Sequence, residues 1–218
     1  AGGGDVVRAA VGPLAHPALA YFPPHQRVIL YGGHYFGASL SAAMWELAPT
    51  GWESICDPCA PGPRITAAIA YDAAHQRIVM YGGHQRILVG GAVTDTVLTD
   101  TWEWDGANWT GLTPLHSPFA AFPAMVYDTA RARTLLYAGT TWTWDGIDWT
   151  QLSPPASPTV NGTGGLAFDV QRQRAVLYGG TFSNGVPSAL TWEWDGSNWT
   201  EARTGPSARA LTVAAAQP

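Results

Sequence analysis

The chain has no lysine. All eleven of its lysine-plus-arginine positions are arginine, and only 12% of the 218 residues carry charge. Neither a Schiff-base lysine nor a phosphate-loop lysine is therefore available. A GC-rich genome is the simplest source of the bias, and the abundance of alanine agrees with it. Net charge is −5, so the basic footprint of a nucleic-acid binder is missing. No apolar run reaches the roughly 18–20 residues that a membrane helix needs, so no membrane span is expected. The sequence opens Ala-Gly-Gly-Gly without methionine, which reads as a processed or excised product.

Cysteine is almost as scarce. Cys56 and Cys59 stand alone in the run Cys-Asp-Pro-Cys. Two such ligands without nearby histidines fall short of the four that a structural zinc takes. A thioredoxin-like reading lacks its βαβ setting. A small loop disulfide is expected, with free thiols as the alternative, and it points to an oxidising compartment, extracellular or periplasmic. Gly-x-Ser-x-Gly, His-Glu-x-x-His and EF-hand patterns are all missing, so no catalytic residue, metal site or cofactor is expected.

What the chain does have is glycine, proline and tryptophan: 25, 17 and 11 residues. The tryptophans fall in TWEWDGANWT at 101–110, TWTWDGIDWT at 141–150, TWEWDGSNWT at 191–200 and a worn copy, MWELAPTGW, at 44–52. Repetition at this scale means a repeat architecture. Each unit begins with small apolar residues, as in PALAY at 17–21, AAIAY at 67–71, AMVY at 124–127 and GGLAF at 164–168. A short turn leads to RVILYGG at 27–33, RIVMYGG at 77–83, RTLLYAG at 133–139 or RAVLYGG at 174–180. These runs carry the strand signal. In the third strand Trp102 and Trp104 alternate with Glu103, so both indoles face one side. Asp-Gly then makes a hairpin turn into a fourth strand that opens with Trp109, Trp149 or Trp199.

Four antiparallel strands per unit, four times, predict an all-β fold: a β-propeller of four-stranded blades. The small residues of the first strands are expected to relieve crowding at the axis, and the tryptophans to fill the space between blades. The pairs Asp72/Arg77, Asp128/Arg133 and Asp169/Arg174 recur at one spacing and are expected to staple the first hairpins. His25 and His75 interchange with Arg131 and Arg172 in the turns, which is not the behaviour of metal ligands.

A Gly-Gly pair closing an apolar strand, then Trp at a fixed distance before a second Trp, resembles the kelch repeat. The whole phrase, AYDxxxxRxVLYGG…TWEWDGxxWT, looks like the secreted bacterial members of that family and covers nearly the entire chain. Blade one departs by carrying Leu47 for the second indole and Ala48-Pro49 for Asp-Gly; blade three carries Ala138-Gly139 and a minimal second loop. The resemblance implies a recognition scaffold, since kelch domains are mostly binding modules and only occasionally enzymes. A copper oxidase of the galactose-oxidase type is built on a related propeller, but its Tyr, Cys and His constellation cannot be assigned here. The sialidase Asp-box also fails, because Asp105-Gly106 and its counterparts are adjacent.

The domain is read as 1–218, with blades at approximately 14–57, 63–113, 120–153 and 162–203. Residues 5–11 align with a fourth strand and 208–216 with an innermost strand, leaving one orphan strand at each end. Bare edges invite pairing. The favoured arrangement is a segment of a larger ring; self-closure and completion by another copy are the alternatives.

Candidate binding residues sit where the scaffold leaves the sequence free to vary. His34 and His84 follow the Gly-Gly pairs, and HQRILVGGAVTDTVLTD at 84–100 reads as the longest variable loop. With Tyr35, Phe36, Gln85, Arg86, Phe182 and Asn184 they form an expected rim, joined by Arg64 and Asn161 from the connections between blades. Asp95 and Asp100 are too few to hold calcium. Asn108, Asn161 and Asn198 lie in N-glycosylation patterns. The expectation is a non-catalytic, secreted scaffold whose ligand is a protein or a glycan. The alternatives are a structural subunit that assembles with copies of itself through its orphan strands, and the propeller part of a larger enzyme.

Overall fold

The computed structural model describes residues 11–35, 39–89 and 92–202. After the short β1 (Leu14–Ala15), blade one takes β2 (Ala18–Phe22) and β3 (Arg27–Tyr31). It passes through β4 (His34–Tyr35), which pairs with β1, and finishes with β5 (Met44–Ala48) and β6 (Gly51–Cys56). Blade two is β7 (Ala68–Asp72), β8 (Arg77–Val89), β9 (Ala92–Trp104) and β10 (Trp109–Leu112). Blade three is β11 (Ala124–Asp128), β12 (Arg133–Tyr137), β13 (Thr141–Trp144) and β14 (Trp149–Leu152). Blade four is β15 (Asn161–Asp169), β16 (Arg174–Thr181), β17 (Thr191–Trp194) and β18 (Trp199–Ala202). Every blade is an antiparallel sheet whose strand order follows the chain. The arrangement is a four-bladed β-propeller, all-β as its sequence pattern requires. Among the described residues no helix is long and apolar enough to cross a membrane.

The innermost strands lie side by side in the order β2, β7, β11, β15. Here the expectation about small residues holds only in part. Ala18, Ala20, Ala68 and Ala70 pack in the clusters between blades, where two sheets must approach closely. Alternate positions carry the bulk: Leu19, Ile69, Met125 and Leu166 line a central cavity, with Tyr21, Tyr71, Tyr127 and Phe168 one step further along the same strands. Period-two alternation puts these two sets on opposite sides of each strand. Ala20 and Ala70 also border the cavity, so small side chains serve the close approach of blades without being excluded from the axis.

Tryptophans and strand-two residues fill those interfaces. Blade one offers Phe22, Ile29 and Met44, against which blade two sets Ile78, Met80 and Trp104. Tyr81 and Val79 of blade two meet Trp144 and Trp149 of blade three, and Leu135 and Tyr137 of blade three meet Trp194 and Trp199 of blade four. In blades two to four the fourth-strand indole also directs its N–H across the boundary. Trp149 reaches the Thr101 hydroxyl and Trp199 the Thr141 hydroxyl, both at 2.9 Å. In blade one Met44 replaces this threonine, and Trp109 approaches its sulfur at 3.3 Å.

The turns at the far end of the inner strands lock together as well. The Asp105 carboxylate accepts the Ala107 and Asn108 N–H groups, and Asp145 and Asp195 do the same in their blades. The following glycine is needed twice over. Gly146 has φ +96°, and a Cβ there would stand 2.4 Å from the His75 ring of the preceding blade. Arg131 lies over Gly196 in the same way and donates to the Asp195 carbonyl.

This placement corrects the expected hairpin staples. Asp72 pairs with His75, Asp128 with Arg131 and Asp169 with Arg172, three residues on, at 2.7–2.9 Å. Asp72 does face Arg77 across the ladder, but strand-edge neighbours are set by backbone register, while the turn folds the basic residue at the third position back onto the carboxylate. Arg77 instead meets Glu103 on the third strand at 3.2 Å, as Arg27 meets Glu46 in blade one.

Replacing Thr141 by valine removes the acceptor for a fully buried indole N–H. The expected cost is about 1–3 kcal/mol, read as a lower urea midpoint at unchanged m-value. The reverse change, Met44→Thr, offers Trp109 that bond but empties part of a fully buried site. It should lower the midpoint, because the cavity costs more than the ~1 kcal/mol that the bond returns.

Candidate binding face at the channel mouth

Inner strands begin at one end of the central cavity, and the Gly-Gly pairs bring strand two back to that same end. A Cβ on Gly83, at φ +97°, would lie 2.6 Å from the Ile65 carbonyl. With glycine there, the chain leaving strand two runs against the chain entering strand one, and Ile65 and His84 exchange backbone hydrogen bonds of 2.8 and 3.0 Å. His84 is thereby seated over Thr66, whose hydroxyl lies 2.8 Å from its Nδ1. Its ring also packs on Phe122, with centroids 4.7 Å apart.

Blade one repeats the arrangement. His34 stacks on His16 with ring centroids 5.4 Å apart and nitrogens at 3.3 Å. The Thr66 N–H donates to the His16 carbonyl, tying one strand entrance to the next. His16, Thr66 and Phe122 thus occupy one repeat position around the mouth, and none of them was expected from the sequence. A signal was present: His16-Pro17 and Phe122-Pro123 stand at the same offset before their strands.

In blades one to three a tyrosine at the end of the second strand fixes the connection that follows. Tyr31 donates to the Gly62 carbonyl at 2.9 Å, Tyr81 to that of Pro118, and Tyr137 to those of Pro158 and Val160. Burial pushes the Tyr81 phenol up to about 12, so it remains a donor at any physiological pH. Phe119 follows the Pro118 carbonyl held in this way and is 81% exposed; Phe122, beside His84, is 43% exposed. These two rings form an apolar border on the mouth.

Other expected rim residues are placed differently. Arg64 is a correction: it is buried, not on the surface. Its guanidinium forks onto Asp100 at 2.8 and 2.9 Å and donates to the carbonyls of Pro61 and Gly82. Burial raises the Asp100 pKa, but the hydrogen bonds and charge of Arg64 outweigh it and hold the carboxyl below its ordinary value. The supposed loop 84–100 is a second correction. Residues 84–89 pair with 92–97, extending β8 and β9 into a two-stranded ribbon. Gln85 is half-buried on it, and Arg86 pairs with Asp95 at 2.9 Å on its exposed surface.

In blade four the Asn184 side-chain Oδ1 accepts the Val186 N–H, closing a tight turn, while Phe182 packs against the cluster between blades three and four. Asn161 is exposed at the start of β15, and Tyr35 packs half-buried beside Gly12. Phe36 lies outside the described residues. Asn108 is exposed in its turn, whereas the Asn198 side chain accepts the Ala156 N–H at 2.8 Å. Cys56 and Cys59 are joined in a disulfide with Cα atoms 5.4 Å apart. Among the described residues no group of three or more His, Cys, Asp or Glu side chains is placed to hold a metal.

No family model and no curated protein matches the chain. Among solved structures, one described as "Structure of YjhT" superposes at a TM-score of 0.70 with 13% identity, over 92% of this chain and 68% of that one. That neighbour is a kelch-type propeller. The fold is a kelch-like β-propeller. At 13% identity the likeness extends to the fold alone.

Burial holds the His84 pKa below its ordinary value, with the Asp95 charge opposing it. The unfolded chain then binds this proton more readily than the folded one, so stability is full above the ordinary imidazole range and falls as pH drops through it. Urea unfolding between pH 8 and 5 should show a smaller acid loss for His84→Gln than for the native chain. Equal slopes would remove His84 from the pH response.

Proposed function

We propose that this chain is a non-catalytic, extracellular recognition scaffold that holds a protein partner on the face at the channel mouth. The observation that carries this reading is the exposed pair Phe119 and Phe122, set on a connection pinned by Tyr81 and backed by His84. Large apolar rings on a rigid support, rimmed by polar groups, are what protein contacts anchor on. The ribbon carrying Gln85 and the Arg86–Asp95 pair supplies such a rim. Asp95 and Asp100, the carboxylates of this region, are each committed to an arginine, which fits binding better than proton transfer. The Cys56–Cys59 disulfide supports an oxidising compartment.

Substituting Phe119 and Phe122 together by alanine should weaken capture of secreted or surface proteins from the source organism at least tenfold, at unchanged thermal midpoint. A parallel glycan array decides the ligand class: saccharide binding that the same double variant abolishes would replace the protein partner with a glycan. Capture unaffected by the variant would reject this face.

A second reading, assembly between copies, is favoured by one flank of the molecule. Among the described residues no apolar cluster joins blade four to blade one. Leu47 on the flank of blade one is 41% exposed, where its counterpart Trp104 is 1% exposed. Deleting residues 207–218 should convert any oligomer seen by native mass spectrometry to a single truncated chain, lighter than the 23.1 kDa of the full sequence; an oligomer that survives deletion would exclude exchange through that segment.

A further inference from the structure

The opposite end of the central cavity has a different chemistry. Its volume is about 220 Å³, and none of the residues lining it is charged. Beneath an aliphatic tier lies an aromatic one of Tyr21, Tyr71, Tyr127 and Phe168, and beyond that a rim that includes Thr129 and Val170. The tiers follow from the alternation along four inner strands, so the cup is built by the scaffold and not by a mobile loop.

Two of its rings are held by their neighbours. The Tyr127 hydroxyl accepts the Ala74 N–H at 3.0 Å across the boundary of blades two and three, which leaves its proton to donate. Tyr71 meets the edge of Phe22 with centroids 5.6 Å apart. Burial raises both phenols above their ordinary values, so they remain neutral donors.

We infer that this cup is a binding site for a neutral aromatic molecule of one or two rings that carries an acceptor oxygen. Size decides the first part. An apolar cavity of about 150 Å³ accepts benzene, and pockets for drug-sized ligands begin near about 300 Å³. Charge decides the second: a carboxylate or ammonium entering this lining would find no counter-ion and would lose its hydration uncompensated. Hydrogen bonding decides the third. Phenol protons are the donors the aromatic tier presents, so a ligand gains by offering them an acceptor. A free sugar fits poorly, since most of its hydroxyls would face aliphatic groups without partners.

The probe is 6-propionyl-2-dimethylaminonaphthalene, a neutral two-ring ketone whose emission reports both polarity and hydrogen bonding. Saturable one-to-one binding with a blue shift is expected. Val170→Trp or Thr129→Trp, both at the exposed rim, should close the cup and weaken binding at least tenfold without unfolding the blades. Tyr71→Phe should weaken it severalfold by removing a donor. The double Phe119→Ala, Phe122→Ala variant should bind the probe like the native chain, so failure of the mouth-face reading and failure of this one are separately visible. Absence of saturable binding, or equal binding by both rim variants, overturns the inference. So does loss confined to the Phe119 and Phe122 variant.

Discussion

At each boundary between blades, one indole of the later blade must be buried against the earlier one, and much else is arranged around that requirement. Burying a tryptophan removes roughly 200 Å² from water, or about 5 kcal/mol gross at ~25 cal/mol per Å². The hydrogen bond from its N–H to Thr101 or Thr141 nets only about 1 kcal/mol. Packing therefore supplies the cohesion, while the bond fixes how one blade sits on the next. The same indole, Trp149, lies edge-on to Tyr81 with centroids 5.2 Å apart, and Trp109 and Trp199 stand likewise to Tyr31 and Tyr137. Those tyrosines grip the connections that deliver Thr66 and Phe122 to the mouth. A line of contact thus runs from the interior of the blade boundary to the surface proposed to bind.

Blade one illustrates the converse. It lacks the second indole, carrying Leu47, and lacks Asp-Gly, carrying Ala48-Pro49. In blades two to four those features meet the preceding blade: Trp104 packs on Phe22, and His75 and Arg131 lie over Gly146 and Gly196. Among the described residues no blade is packed on the corresponding flank of blade one, and Arg172 of blade four turns to Asp169 and Glu193 of its own sheet. Where no neighbouring blade is packed among the described residues, the residues that would receive one differ too.

The blades were legible in the sequence because strand alternation, Gly-Gly and Asp-Gly are local signals, repeated four times. The placement of Arg64 was not. Its partner Asp100 is 36 residues away, and an arginine in a proline-rich connection looks exposed until the fold brings that carboxylate beneath it. The stretch from 84 to 100 was misread as a loop because a Gly-Gly pair interrupts its sequence, although the residues on either side are rich in the β-branched types that favour strands. His34 and His84 drew notice because they follow the Gly-Gly pairs, but their companions His16, Thr66 and Phe122 were missed because the repeat was aligned from the apolar strand onward. The small residues of the inner strands were noticed, but their part in the packing between blades was not, since a one-residue alternation decides which side chains share a face.

A row of units that touch only their neighbours has cooperativity of a particular kind: its stability is close to a sum of unit and interface terms. Blades two and three each own two interfaces of the tryptophan kind, whereas blades one and four own one each among the described residues. Partial unfolding is then cheapest at the flanks and dearest in the middle. His84, Phe119 and Phe122 belong to the middle pair. The surface they form is carried by the last part of the molecule to open, so it can meet a partner already ordered, while the flanks are left free to fray without disturbing it.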